Sequence, residues 1–473
     1  MSERAVIIGG GPAGLAAGYE CGRRRIPAVV LEADSVVGGL CRTVEHNGFR
    51  FDLGGHRFFT KSREVSALWH EILGDEFLRR PRLSRIYFGG RFVAYPLKPL
   101  DALRRLGLVE TARSIASYLA RKLAPNADTS SFESWNENQF GRRLYTHFFK
   151  AYTEKVWGIP CSELASEWGA QRIKGLSLAS AIRSALFKPA HGRIKTLIEE
   201  FEYPRLGPGE MYEALAERCR GLGVEVLLGH RAVRVERRGD GPTAVHARTS
   251  VGESRFPASA VLSSMPLSGL VEALDGMPPE ALSSARALTY RSLLTVNLML
   301  TGPETIPETW LYIHDPAFRV GRVQCFKNWS PFMVPKAETS SLGMEFFATE
   351  GDDLWTLPDH ELVALGKSEM ARLGIADEGR VFDAFVLRAP KAYPVFRLGY
   401  AAHLARIREV LDPIPRLYPI GRYGMFRYNN MDHSILTGLL AARCLAGERH
   451  DLWSVNADEE YLEAGAGARA GSE

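Results

Sequence analysis

Residues 5–32 decide the fold. They open with Ala5-Val6-Ile7-Ile8-Gly9-Gly10-Gly11-Pro12-Ala13-Gly14 and close with Ala28-Val29-Val30-Leu31-Glu32. The apolar run before the glycines reads as a buried strand, Leu15 to Arg24 as a helix, and the second apolar run as the next strand. Gly9, Gly11 and Gly14 have the G-x-G-x-x-G spacing. The first glycine permits the tight turn, the second lets the backbone approach a pyrophosphate, and the third lets helix and strand pack closely. The helix N-terminus, with Pro12 and Ala13 at its head, presents free N–H groups and a positive dipole end to that pyrophosphate. Glu32, at the end of the second strand, is placed to bind a ribose hydroxyl. The stretch is expected to hold a dinucleotide.

The next residues choose among dinucleotides. Gly38-Gly39-Leu40-Cys41-Arg42 follows the acidic strand end. A glycine pair there lets a loop run along a cofactor, and an arginine can pair with its phosphate. Phe51-Asp52-Leu53-Gly54-Gly55-His56-Arg57 supplies another glycine pair, beside which a flavin ring could lie against backbone. The segment at Gly39, Leu40 and Arg42 resembles the second fingerprint of FAD-binding, amine-oxidase-like flavoproteins. The resemblance implies FAD as the cofactor, with NADPH or NADH as a transient reductant.

Composition bounds the rest. The chain has 473 residues, 45% hydrophobic and 24% charged, with a net charge of +4. That is ordinary for a globular protein of two or three domains and implies no nucleic-acid partner. The six cysteines are scattered with no C-x-x-C, which argues against a zinc site or a disulfide framework and for a reducing cytoplasm. No signal peptide is evident, and no apolar run approaches the ~18 residues that a membrane span needs.

The pattern is interleaved: α/β, with a Rossmann-type, glutathione-reductase-like core, an inserted helical domain, and a mixed β-sheet substrate domain. The expected segments are residues 1–97 (core), 98–200 (helical insert), 201–285 (core again), 286–410 (substrate sheet), 411–446 (last core strand and helix) and 447–473 (tail). Residues 85–96 read as a hairpin turning on Gly89-Gly90. The alternating Leu222, Val224, Val226 and Leu228 read as a strand, and Val233 as part of the strand that returns to the cofactor. Leu417 to Arg422 reads as the last core strand, followed by a helix over 434–446. The helical insert offers a surface for a homo-oligomer.

Three segments carry more specific information. The first is Tyr152-Thr153-Glu154-Lys155-Val156-Trp157-Gly158, followed by Glu167-Trp168-Gly169-Ala170-Gln171-Arg172. The second is Tyr290-Arg291-Ser292-Leu293. The third is Gly421-Arg422-Tyr423-Gly424-Met425-Phe426-Arg427-Tyr428-Asn429-Asn430-Met431-Asp432. Together they resemble the UDP-galactopyranose mutase family. The resemblance implies that Tyr152 and Trp157 hold a uridine and that Arg172 and Arg291 hold a diphosphate. It implies that Tyr393 (in Tyr393-Pro394) and Tyr428 contact the sugar diphosphate. Arg422 then approaches the flavin, with Asn430 and Met431 beside it, Asn430 replacing the family's usual acid. Trp310-Leu311-Tyr312 resembles a segment of the eukaryotic branch, which places Tyr312 at the substrate. His56 falls where the family has a residue next to the flavin ring.

The physical chemistry is compatible with those roles. Tryptophan can stack on a base, and a guanidinium can hold a phosphate through two parallel hydrogen bonds. By the resemblance, reduced flavin attacks the anomeric carbon of a nucleotide sugar as the diphosphate leaves, and the protein positions the two. Arg172, Arg291, Tyr393, Tyr428 and His56 are then the residues closest to the chemistry. Amine-oxidase-like and protoporphyrinogen-oxidase-like flavoproteins share the overall pattern. The alternative is therefore an FAD-dependent oxidation of an amine, alcohol or C–C bond.

Overall fold

A computed structural model describes residues 4–95, 99–167, 169 and 200–456. The strand Ala5–Ile8 lies at the centre of a five-stranded parallel sheet. Ala260–Ser263 and then Leu417–Pro419 flank it on one side, and Ala28–Leu31 and then Glu225–Leu227 on the other. Strands so distant in sequence pair here because they are short, and the three inner ones, Ala5–Ile8, Ala28–Leu31 and Ala260–Ser263, are predominantly apolar and buried along their length, as parallel sheets covered on both faces require. Ala5 and Ile7 face a core built with the helices Pro12–Arg23 and Met431–Leu445, while Val6 and Ile8 face a second core that includes Leu267, Leu270 and Val271.

A seven-stranded mixed sheet stands beside this core. Its strand order is Val381–Val395, Thr289–Thr301, Thr339–Ala348, Arg322–Gln324, Trp310–Ile313, Ser84–Phe88, Arg91–Ala94. The last two form the expected hairpin, with Gly89 and Gly90 at φ 56° and 75°, as a tight turn with both central residues left-handed demands. The helix Asp359–Arg372 packs on this sheet through Leu362 and Met370. The helices Pro99–Leu123, Phe132–Phe140 and Ala151–Trp157 occupy the region read as helical, with one π-turn at Thr146–Lys150.

Three local expectations need correction. The strand read over 222–228 is confined to Glu225–Leu227. Leu222 instead ends the preceding helix, and it and Leu228 are exposed. The last core strand stops at Pro419, and Gly421–Gly424 forms a single helical turn. Gly421 has φ 74°, a left-handed backbone that breaks the strand, and a Cβ there would sit 2.9 Å from that of Ala13. The final helix starts at Met431 and runs to Leu445, three residues earlier than its apolar periodicity suggests. Among the described residues, no helix is long and apolar enough to cross a membrane.

Candidate active site

A cavity of about 820 Å³ opens at the carboxyl ends of the parallel strands, where ligands of open α/β sheets bind. One end is lined by Gly9, Gly11, Pro12, Ala13, Glu32, Gly39, Leu40 and Arg42. Gly9 adopts φ 99°, and a Cβ on Gly11 would meet nothing nearer than the Gly39 Cα at 3.8 Å. Two glycine backbones thus face each other across a gap that side chains would narrow. Gly14 does not line the cavity: its Cβ would lie 1.8 Å from the Gly9 carbonyl oxygen, so its role is the helix–strand contact expected of the third glycine. Glu32 accepts hydrogen bonds from Gly10 N (2.6 Å) and Asp34 N (2.8 Å). Burial raises its pKa, and those two amides partly offset the rise. Each oxygen retains a lone pair for a hydroxyl. Arg42 pairs with Asp34 at the same end.

At the other end Gly54, Gly55 and His56 form one wall. His56 Nδ1 lies 3.2 Å from the Gly54 carbonyl oxygen. Burial, reinforced by the charges of Arg422 and Arg322, pushes the imidazole down to about 3, so it is neutral at physiological pH. Behind the wall, Gln324 Nε2 donates to the fully buried Glu345 (2.6 Å), and Arg322 pairs with Glu345 at 2.6 Å. Arg322 Nη2 also donates to the Tyr393 hydroxyl at 2.9 Å.

Tyr393 and Tyr428 lie parallel, 6.0 Å apart at 15°. The Arg422 guanidinium sits 5.5 Å from one ring centre and 5.0 Å from the other. It is held there by Arg422 Nε donating to the Asn429 carbonyl at 2.8 Å. Trp157 presents an edge to both tyrosines at 6.3 and 6.2 Å. Asn430 and Met431 line the cavity where the Met431–Leu445 helix begins, so a second helix N-terminus faces it. The two N-termini meet because the helices pack closely: a Cβ on Gly438 would lie 2.1 Å from the Ala13 carbonyl oxygen.

A facing glycine pair, an acid with free lone pairs and two positive helix ends fit a dinucleotide with a ring at the Gly54–Gly55 wall. A family model described as flavin containing amine oxidoreductase matches residues 12–446. The chain belongs to that family. It is therefore an FAD-dependent enzyme, and the cavity is where its residues would hold the flavin. When bound, the flavin supplies the electron-transfer chemistry of the site.

Individual relatives of this flavoenzyme carry different activities. It is 36% identical to protoporphyrinogen oxidase 2 of Arabidopsis thaliana over 198 residues, which span 38% of this chain and 39% of that protein. It is 22% identical to the coproporphyrinogen III oxidase of Mycobacterium bovis over 86% of this chain and 90% of that one. A reduced UDP-galactopyranose mutase shares the fold at TM-score 0.82 and 22% identity, covering 98% of this chain and 100% of that one.

The flavoenzyme's cavity takes in most of the residues named from sequence, and it leaves out several. Val233 is absent from the lining, which holds Arg231 and Ala232 at that strand. A register shift between Ala232 and Arg234 turns the strand there. Arg291 is also absent. It is buried, and its guanidinium is consumed by the carbonyls of Phe347 (2.8 Å) and Val156 (3.3 Å), by Thr349 Oγ1 (2.5 Å) and by Asp352 (3.4 Å). Its place is at the C-terminal end of the Ala151–Trp157 helix rather than at a phosphate. Trp157 is 2% exposed and so has no free face for a base. Tyr152 stacks on His314 (4.1 Å, 12°), next to Tyr312, and neither tyrosine lines the cavity. Arg172 lies outside the described residues.

Sequence reading missed Arg322, Ser264 and Asp432, which all line the cavity. Arg322 occupies a three-residue strand whose neighbours Tyr312 and Glu345 are fixed by sheet pairing, so no local pattern marks it. Asp432 had a local signal, since it closes the Tyr428–Asp432 run and is the first acidic residue of the last helix.

Proposed function

We propose that this enzyme acts on a nucleoside-diphosphate sugar, in the manner of a UDP-galactopyranose mutase. The observation that carries this reading is the Tyr393–Tyr428 pair, with Arg422 over both rings and Arg322 bonded to Tyr393. Two guanidiniums and two phenolic hydroxyls beside the Gly54–His56 wall suit a diphosphate, whose charge is spread over several acceptor oxygens. In this reading the two tyrosines donate to the phosphates, Arg322 and Arg422 neutralise them, and Glu345 fixes the plane of the Arg322 guanidinium. His56, neutral and tied to Gly54, leaves the wall uncharged where the flavin ring and the sugar carbon would meet. In this reading the side chains bind and orient the substrate. Arg172 is proposed as a further diphosphate ligand on its sequence match alone.

A second reading is kept because relatives aligned over 86% of the chain are coproporphyrinogen oxidases. In it the same arginines would hold carboxylates of an oxidisable substrate. Titration of the anaerobically reduced holoenzyme with UDP, UDP-galactose and UDP-glucose separates the two. A saturable flavin spectral change, with a furanose product and no oxidant consumed, is expected. No response to any of the nucleotides, together with bleaching of oxidised flavin by a porphyrinogen, would remove the nucleotide-sugar reading.

A further inference from the structure

The loop between Ile313 and Arg322 is gripped from both sides by charged side chains of other elements. Lys155 Nζ, from the Ala151–Trp157 helix, donates to the carbonyls of Ile313 (2.8 Å), Asp315 (3.0 Å) and Val320 (3.2 Å). Glu369, buried on the Asp359–Arg372 helix, accepts from the amides of Arg319 (2.7 Å) and Val320 (2.8 Å). An ammonium has three donors and a carboxylate only acceptors, so each group matches the polarity of the backbone it meets. Among the described residues, neither charge is spent on a direct side-chain ion pair. Both act through the peptide dipoles of one loop.

That loop leads into a cavity-lining residue at one end and an aromatic cluster at the other. On one side it runs into Tyr312 and His314, against which Tyr152 stacks. On the other it runs through Gly321 into Arg322. The loop is closed at its base by Ile313 N donating to Gly321 O (2.9 Å) and Gly321 N donating to Glu345 O (2.8 Å). A three-residue strand has little pairing of its own to resist a shift. Arg291, from a third element, meets the carbonyl of Val156, one residue beyond Lys155, and so anchors the helix that carries the lysine.

We propose that Lys155 is a positioning residue. Its ammonium, opposed by Glu369, fixes the Ile313–Gly321 loop and thereby sets where Arg322 meets Tyr393 and an anionic substrate. The three carbonyls, 2.8–3.2 Å from Nζ, form a cage of ammonium size, which the lysine fills from within the chain. The effect on nucleotide affinity rests on the function proposed above, and the effect on the loop does not.

The test uses FAD-loaded Lys155→Ala and Lys155→Met beside wild type. Hydrogen exchange of peptides covering residues 311–324 is followed, together with UDP affinity of the reduced enzyme. Both variants should exchange faster in that segment, retain the flavin spectrum, and bind UDP about tenfold more weakly, the cost of one strained charged contact. In Lys155→Ala, ammonium chloride should restore protection and affinity saturably where lithium chloride does not, because lithium is too small for the cage. Lys155→Met keeps the apolar stem, which guards against loss of folding from a cavity alone. Unchanged exchange over 311–324 in either variant would overturn the proposal, as would global unfolding of both, since the role would then not be local. Failure of wild type to bind UDP would instead count against the nucleotide-sugar reading and leave the exchange result standing.

Discussion

At the residue scale, the site is built from charges that the chain has already committed. Arg322 faces the buried Glu345 on one side and Tyr393 on the other. Replacing Arg322 by methionine should therefore do two separable things. It should weaken anion binding, and it should leave a carboxylate buried and unpaired, at a cost of about 3–5 kcal/mol. The double variant Arg322→Met/Glu345→Gln should recover most of that stability in denaturant unfolding while anion affinity stays low. A double variant as unstable as the single one would show that Glu345 is not the group left stranded. Arg291 teaches the opposite lesson. As an arginine in a recognisable motif it reads as a ligand contact, yet five nearby oxygens already occupy its donors.

At the scale of elements, the cofactor end depends on two helices that approach closely at glycine. Gly14 sits against the Gly9 carbonyl and Gly438 against that of Ala13. Gly438→Ala places a methyl on a backbone oxygen that has no alternative position. The expected cost is about 1–3 kcal/mol, together with less flavin per protein, because the N-termini of both helices shift relative to the glycine pair. The absorbance ratio of flavin to protein after purification and the thermal midpoint together check this. Full flavin occupancy at wild-type stability would mean that the helices can part without disturbing the site. The first helix and its flanking strands were legible because their instructions are local: apolar run, glycine spacing, apolar run. The final helix was placed three residues late because its first turn, Met431-Asp432-His433, is polar apart from the methionine, and the apolar periodicity begins only afterwards.

At the scale of the molecule, the cavity wall is drawn from distant stretches of the chain. Among them are the first 60 residues, residues 230–232, the segment around 264, Arg322, the strand that carries Tyr393, and the 421–434 region. A ligand bound there ties these stretches together and binds only the folded state. Flavin at one hundred times its Kd should thus add about 2.7 kcal/mol of stability. Removing FAD and titrating it back should lower and then restore the thermal midpoint in a concentration-dependent way. A midpoint indifferent to FAD would contradict the assignment of this cavity to the cofactor.

The amino-acid sequence by itself determined the dinucleotide-binding start and the glycine pairs Gly38-Gly39 and Gly54-Gly55 that follow it. Each of these is written as residue type at short spacing, and backbone geometry converts such spacing directly into shape. Only the tertiary structure decided which arginines face the cavity and which tyrosines pair. Arg322 and Arg291 are both strand residues beside aromatic neighbours. What separates them is the register of three strands and the loop held between Lys155 and Glu369. Whether a guanidinium is free for a ligand depends on the oxygens that folding brings to it, and those lie tens to hundreds of residues away along the chain.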